Sequence, residues 1–255
     1  KAAIYALDKE ITAQAYYLKG ECLSVLNQYE SARIAYKKSM DQRIDDWTNK
    51  SRYGLGYISY NEKDYKAAEK YFQDFIMNSF KRDELTIDAR LRLADCFYVQ
   101  KEYDRAIKQY SEVNQPEYAS YISYQTGLVY QLKGETTKAV EAFDKTIRDN
   151  RSAYADNAYL QKGKLYVSSG DFQKAVQAYK GLLSAFPESN LVPYAKTDIA
   201  LCYLNLNDLT NAKLYYTDVL DNHMSHEVAN DALLGLQEVI KKGEKVKDFE
   251  AYMDR

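Results

Sequence analysis

The chain has 255 residues, of which 26 are tyrosine, and its 35 basic side chains nearly balance 37 acidic ones, for a formal net charge of −2. The balanced charge and the lack of a basic stripe argue against nucleic acid as a partner, and no apolar run approaches the roughly 18 residues that a membrane-spanning helix needs. With only 3 prolines and 10 glycines, the composition favours helices over a loop-rich β fold.

The first predicted element is a partial helix over residues 1–11, in which Ala, Ile and Leu recur. It has the pattern of the second helix of a hairpin whose first helix is missing. Terminal repeats of an array are usually atypical. Such an end fits either a natural cap or a chain cut within an array, and of the two we favour a piece excised from a longer array of repeats.

From residue 12 onward, an alanine is followed four residues later by an aromatic side chain six times in succession. Successive alanines lie 33 to 38 residues apart, and a Gly or Ala stands twelve residues before each of them. A fixed period of this length is typical of repeat architectures. The six pairs are Ala32 with Tyr36, Ala68 with Phe72, Ala106 with Tyr110, Ala139 with Phe143, Ala175 with Tyr179 and Ala212 with Tyr216.

Each unit is predicted to be a helix, a tight turn and a second helix. Five residues before each alanine stands Gly, Asn or Lys, of which Gly and Asn suit the left-handed residue that ends a helix, and a mostly acidic residue suited to the next N-terminus follows. The predicted turn residues are Asn27, Lys63, Lys101, Gly134, Gly170 and Asn207. The predicted units are 12–46, 47–84, 85–117, 118–152, 153–190 and 191–222.

The last predicted element, residues 223–255, is a degenerate seventh unit or C-terminal cap. Asp248 stands where the repeat alanine is expected, although Tyr252 keeps the aromatic position. Such degeneracy is usual at the end of an array.

This pattern resembles the tetratricopeptide repeat family. In the fifth unit, Gly163, Ala175, Tyr179 and Pro187 occupy the small, Ala, aromatic and Pro positions of that family's repeat. The resemblance implies an all-α, right-handed superhelical solenoid of antiparallel helical hairpins. The signature Trp of the family is absent, and the long period resembles that of repeat proteins of bacterial cell envelopes.

The resemblance also implies a binding surface, because the first helices of the repeats line a concave, peptide-binding groove in this family. Tyrosine is frequent at the matching positions of the first four units, and its rigid, amphipathic ring suits protein recognition. The alternative is that these rings pack against one another. The predicted binding residues are Tyr17, Lys50, Tyr53, Tyr57, Tyr60, Asp88, Asp95, Tyr98, Tyr121 and Tyr124.

Other groups of residues give weaker indications of function. His223 and His226, with Asp221 and Glu227, could line one metal-binding face, but polar residues are ordinary in such a link. Titratable pairs at catalytic spacing are not found, so we expect no enzyme activity, no metal and no cofactor. Trp47 is expected in a link, packed against helix ends or serving as a surface anchor.

The sequence therefore predicts a non-catalytic scaffold that binds a peptide or protein surface in the tyrosine-lined groove. Two alternatives stay open: an architectural spacer or assembly module of a bacterial envelope complex, and a glycan- or small-ligand-binding protein of an uptake system. The envelope-like period slightly favours the bacterial periplasm, whereas unpaired cysteines favour the cytoplasm. The oligomeric state is left open.

Overall fold

The structure is a computed structural model that describes residues 2–79, 83–149 and 152–243, with side chains from residue 8 onward. These residues form thirteen α-helices and a single 3-10 turn, and no strand occurs among them. The chain divides into two compact units, Lys1–Pro116 and Glu117–Arg255.

The first unit is a stack of three helical hairpins. Each hairpin pairs two consecutive helices, and the second helix also packs against the first helix of the following hairpin. The helices are α1 (Ala2–Val25), α2 (Tyr29–Met40), α3 (Asp45–Asn61), α4 (Tyr65–Met77), α5 (Glu84–Val99) and α6 (Tyr103–Ser111).

The second unit follows the 3-10 turn Pro116–Tyr118 and contains three hairpins and a last helix. That helix, α13, packs against α12 and α11, and the predicted Asp248 and Tyr252 lie outside the described residues. The helices are α7 (Ala119–Leu132), α8 (Thr136–Arg148), α9 (Ala155–Ser168), α10 (Phe172–Ala185), α11 (Val192–Asn205), α12 (Leu209–Asn222) and α13 (Ala229–Gly243).

The six predicted turn residues all adopt the left-handed conformation, with φ between 57° and 77°. At each turn the next amide donates to the carbonyl five residues before it, as from Asp64 to Ser59 at 2.9 Å. This bond pattern closes the end of the first helix, so the predicted turns are confirmed. The aspartates among the acidic residues also cap the second helix, as where Asp64 accepts from the Ala67 amide at 3.1 Å.

The repeat aromatics form the core of both units. All six are at most 2% exposed, and the four that follow a glycine cover it so closely that a Cβ atom there would overlap the ring. Tyr179 covers Gly163 in this way, and Phe143 covers Gly127. In these four repeats the glycine is therefore required by the aromatic ring of the same hairpin, in addition to the close helix approach that the sequence predicts.

The N-terminal region differs from the sequence prediction. A single helix, α1, runs from Ala2 to Val25 without the break predicted after residue 11. The segment contains no Gly, Pro or Asn before Gly20, and Thr12 keeps its hydroxyl in the helix by donating to the Asp8 carbonyl at 2.7 Å. With no residue to stop it, the helix continues through the predicted boundary.

Trp47 also differs from its expected place. It lies in the first turn of α3 rather than in a link, since α3 begins at Asp45. Its ring centroid lies 5.4 Å from that of Tyr17 on α1. Trp47 therefore packs one hairpin against the next.

Candidate functional site

The predicted tyrosines of α3 form an aromatic row along one helix, and each of them contacts another aromatic ring. The ring centroids of Tyr53 and Tyr57 are 5.1 Å apart in an edge-to-face arrangement, and Tyr53 lies 5.1 Å from Phe75 of α4. Tyr60 extends the row toward Tyr65, at 5.6 Å. All three α3 tyrosines are half-buried, so each ring presents part of its surface while the rest is held by packing.

The hydroxyl groups of this row point at two carboxylates on α5. Tyr53 and Tyr57 both donate to Asp88, the former at 2.8 Å. Tyr60 approaches Asp95 at 3.4 Å. The structure thus brings five of the predicted residues together, and it does so through hydrogen bonds between neighbouring repeats.

Asp95 is the buried centre of these contacts, with only 5% of its surface exposed. It accepts the hydroxyl of Tyr110 at 2.6 Å and pairs with Arg92 at 2.6 Å. Arg92 also lies 3.6 Å from Asp88. We refer to Tyr53, Tyr57, Tyr60, Asp88, Arg92, Asp95 and Tyr110 as the tyrosine–carboxylate network.

Burial makes the three α3 tyrosines of the network harder to ionise. Burial and then the nearby Asp95 raise the pKa of Tyr60 to about 12. The pKa values of Tyr53 and Tyr57 are also raised, first by burial; Tyr57 and then Asp88 add to this for Tyr53, and Asp88 does so for Tyr57. These hydroxyl groups therefore remain hydrogen-bond donors well above neutral pH.

Tyr17 of α1 and Lys50 of α3 both contact the ring of Trp47, near the start of α3. Lys50 Nζ is 4.4 Å from the centre of the indole ring and pairs with Asp46 at 2.8 Å. Lys50 also borders a cavity of about 510 Å³, whose walls include Asn49 and Phe75. Of the remaining predicted residues in this unit, Tyr98 is half-buried, and burial raises its pKa.

In the second unit, the predicted Tyr121 and Tyr124 on α7 meet a tyrosine that the sequence analysis missed. The Tyr154 ring stacks on Tyr124, with centroids 5.5 Å apart and planes at 20°, and lies 5.5 Å from Tyr121. Tyr154 immediately precedes α9. It lies nine residues before Gly163, as Trp47 does before Gly56 and Tyr118 does before Gly127, so the period could have identified it, but the sequence analysis did not use this position.

The second unit also contains a cavity lined by acidic residues, which the sequence analysis did not predict. Asp198 on α11 and Asp231 on α13 line a cavity of about 300 Å³ together with Glu227, between the two helices. Tyr194, Thr197 and Val228 complete its wall. We call this the acidic cavity. An acidic residue on each of two successive first helices is the signal that could have found it.

The two histidines lie in different surroundings. His226 packs edge-on against Tyr194, with centroids 4.9 Å apart, and burial lowers the pKa of His223. Over the described ranges, no group of three or more His, Cys, Asp or Glu side chains is placed to hold a metal ion. None of the helices in the same ranges is both long and apolar enough to cross a membrane.

The repeat pattern matches known families along most of its length. The tetratricopeptide repeat-like domain family matches residues 55–153, and tetratricopeptide repeat families match residues 13–43, 124–190 and 160–227. The chain belongs to the tetratricopeptide repeat family. Among curated proteins, none matches it.

Several solved structures share the fold. The C-terminal part of a repeat-containing protein from Cytophaga hutchinsonii has a TM-score of 0.74 at 16% identity, covering 88% of this chain and 86% of that one. Pseudomonas aeruginosa pilF has a TM-score of 0.60 at 17% identity, covering 92% and 99%. YrrB, described as a repeat protein with an unusual peptide-binding site, has a TM-score of 0.60 at 19% identity, covering 77% and 98%.

Proposed function

We propose that the chain is a non-catalytic scaffold that binds a peptide or protein surface through the tyrosines of its first helices. The observation that carries this proposal is the tyrosine–carboxylate network, which fixes half-exposed aromatic rings before any partner arrives. Rigid rings lose little conformational freedom on binding, and so a surface of this kind is preorganised for association. A structural relative, YrrB, is described as peptide-binding.

The network also determines how a partner would be held. The hydroxyl groups of Tyr53 and Tyr57 are already bonded to Asp88, so a partner would contact ring edges and faces instead. Polar contacts would come from Lys50 and Asp46, which border the larger cavity. Aromatic burial would supply most of the affinity, with these charges setting the register.

The same contacts support an architectural alternative. Tyr17, Tyr53, Tyr57, Tyr60 and Tyr124 each have an aromatic or carboxylate partner inside the chain. If joining consecutive hairpins is their whole role, the chain is a spacer or assembly module of a larger complex. Under that alternative the tyrosine surface remains empty.

Panning a random peptide display library against the purified chain distinguishes the binding proposal from the architectural alternative. Selected peptides should lose about tenfold or more in affinity for the Tyr57→Ala/Tyr60→Ala/Tyr124→Ala variant, because aromatic residues carry a large share of interface energy. The matched control is Ile34→Ala/Leu214→Ala, which removes side chains that are 56% and 62% exposed on second helices.

Thermal unfolding followed by circular dichroism identifies the variants that remain folded. If the triple variant stays folded and binds the selected peptides as the original chain does, the binding proposal is wrong. Because these rings also pack in the interior, a Tyr57→Phe/Tyr60→Phe variant provides a second measurement. It keeps both rings and should retain most of the affinity.

A further inference from the structure

We propose that the acidic cavity of the second unit receives a lysine or arginine side chain from a polypeptide partner. This inference rests on the proposed scaffold function and names the chemistry of the partner at one site. The cavity is distinct from the ten residues that the sequence predicts for binding. It is formed where α13 packs on α11.

The first argument is charge. Asp198, Glu227 and Asp231 place three carboxylates around about 300 Å³ of open space. Within the part of the chain that the structure describes, none of them forms an ion pair, and Glu227 accepts a hydrogen bond from the Tyr194 hydroxyl. The nearest cationic influence on Asp198 is that of Lys164, which acts through space. The charge of Asp231 acts unfavourably on that of Asp198, and an incoming cation would relieve this repulsion.

The second argument is a buried hydroxyl group. Tyr179 is 0% exposed, and its strongest polar influence is Asp198 in the cavity wall. The hydroxyl is directed at that carboxylate and interacts with it, but its oxygen lies outside good hydrogen-bonding geometry with every described residue. Buried polar atoms are nearly always satisfied in native proteins. A donor group bound in the cavity would draw the Asp198 carboxylate into a fixed position, in which it can accept the Tyr179 hydroxyl as well.

The third argument identifies the cation. A metal ion is disfavoured because no suitable group of three ligands exists in the described ranges. A guanidinium or ammonium group needs only acceptor oxygens on several sides, which these carboxylates provide. The ring of Tyr194 adds an aromatic wall, against which an arginine can also stack.

The fourth argument concerns the chain that carries the cation. One helical turn beyond Asp198 and Asp231 lie Leu201 and Leu234, which are 42% and 64% exposed. Residues three apart are neighbours on a helix surface. The two leucines therefore extend the cavity with an apolar ledge, which suits a segment with an apolar residue next to its basic one.

Two synthetic peptide libraries test the proposal on the whole chain. Both contain a fixed central pair, arginine followed by leucine in one and citrulline followed by leucine in the other. Citrulline keeps the shape of arginine and removes its charge. We expect the arginine library to be retained on the immobilised chain about tenfold more strongly, and the difference to shrink as salt is raised.

The variant Asp198→Asn/Asp231→Asn should abolish this preference, while keeping side-chain size and fold. Glu141→Gln/Glu188→Gln is the matched control, because it removes the same charge from exposed positions of the same unit and should leave the preference intact. The variant Leu201→Ser/Leu234→Ser should weaken retention of both libraries. Unfolding temperatures verify that every variant is folded.

Equal retention of the two libraries by the original chain would overturn the proposal. So would equal loss of preference in the Asp and Glu variants, since attraction would then reflect net charge alone. If peptides selected through the tyrosines still bind in either case, only this inference fails. If the chain retains no peptide from any library, the proposed scaffold function fails with it.

Discussion

Two pairs of acidic side chains on first helices, one pair in each unit, have opposite surroundings. In the first unit, Asp88 and Asp95 are met by tyrosine hydroxyls and by Arg92. In the second, Asp198 and Asp231 face an open cavity. A carboxylate that is hydrogen-bonded and ion-paired within the chain stabilises the stack of hairpins. A carboxylate without an ion pair keeps its charge available for a partner.

The difference can be traced to one position in the repeat. Fifteen residues before the repeat aromatic, Asp95 accepts the hydroxyl of Tyr110, as Glu21 does for Tyr36. The corresponding residue before Tyr179 is Lys164. A lysine cannot accept a hydrogen bond, so the Tyr179 hydroxyl turns toward the next hairpin and Asp198.

The largest predicted effect comes from removing the buried carboxylate of the first unit. Asp95→Ala should lower the free energy of unfolding by about 3 kcal/mol, because it leaves Arg92 and Tyr110 without their shared acceptor. Urea denaturation followed by circular dichroism measures it. Glu84→Ala, at an exposed position of the same helix, should cost well under about 1 kcal/mol. Similar losses for both variants would contradict a special role for Asp95.

The next largest predicted effect is a difference between the repeat aromatics Tyr110 in the first unit and Tyr179 in the second. Tyr110→Phe removes a hydroxyl that donates to a buried carboxylate, and should destabilise the chain by about 2 kcal/mol. Tyr179→Phe removes a hydroxyl whose oxygen completes no hydrogen bond in the described structure, and should be close to neutral. Thermal unfolding of the two single variants tests this directly. If Tyr179→Phe lowers the stability as much as Tyr110→Phe does, the Tyr179 hydroxyl is as well hydrogen-bonded as the Tyr110 hydroxyl, and the proposed contrast between the two units is wrong.

A feature of the fold could be predicted from the sequence when residues close together in the chain determine it. The turns followed from single residues such as Gly134 and Asn207, because the left-handed conformation is a local preference. The repeat aromatics followed from their spacing. The continuity of α1 through residue 11 did not, because the period indicated a boundary where the local sequence has no helix-breaking residue.

The contacts that form the candidate binding surfaces were harder to predict from the sequence. The period identifies the helix face on which Tyr53 lies, but its acceptor Asp88 stands 35 residues away. Which carboxylate meets which hydroxyl depends on how far one hairpin slides along the next, and the sequence pattern does not encode that register directly. The acidic cavity has the same origin, since Asp198 and Asp231 meet only through the packing of α11 on α13.

A smaller effect concerns the turns, where the first unit uses Asn and Lys and the second uses Gly twice. Gly134 has φ of 73°, and a Cβ atom added there would meet open space, so Gly134→Ala should cost about 1 kcal/mol from the left-handed conformation alone. Lys101→Gly, at φ of 63°, should stabilise by less than about 1 kcal/mol, because the relief of strain is offset by a more flexible unfolded chain. Matched melting curves decide the signs, and opposite signs to these would refute the argument.

The smallest predicted effect is a stabilising one at the acidic cavity. Burial, with a contribution from Asp231, raises the pKa of Asp198 above its ordinary value, while Tyr179 and Lys164 act in the other direction. The folded chain therefore binds this proton more tightly than the unfolded chain, and at neutral pH the charged carboxylate destabilises the fold. Asp198→Asn should raise the free energy of unfolding at pH 7 by about 0.5 kcal/mol.

The pH dependence distinguishes this account from a simple packing change. As pH falls through the raised pKa, Asp198 of the original chain becomes protonated and its penalty disappears, so the advantage of Asp198→Asn should shrink toward acidic pH. Asp88→Asn is the control in the first unit, where two tyrosine hydroxyls already donate to the carboxylate, and it should destabilise the chain at neutral pH instead. Stability measured from pH 7 downward tests both. A pH-independent gain at Asp198, or a gain at Asp88, would mean that the two units do not differ in how they hold their charges.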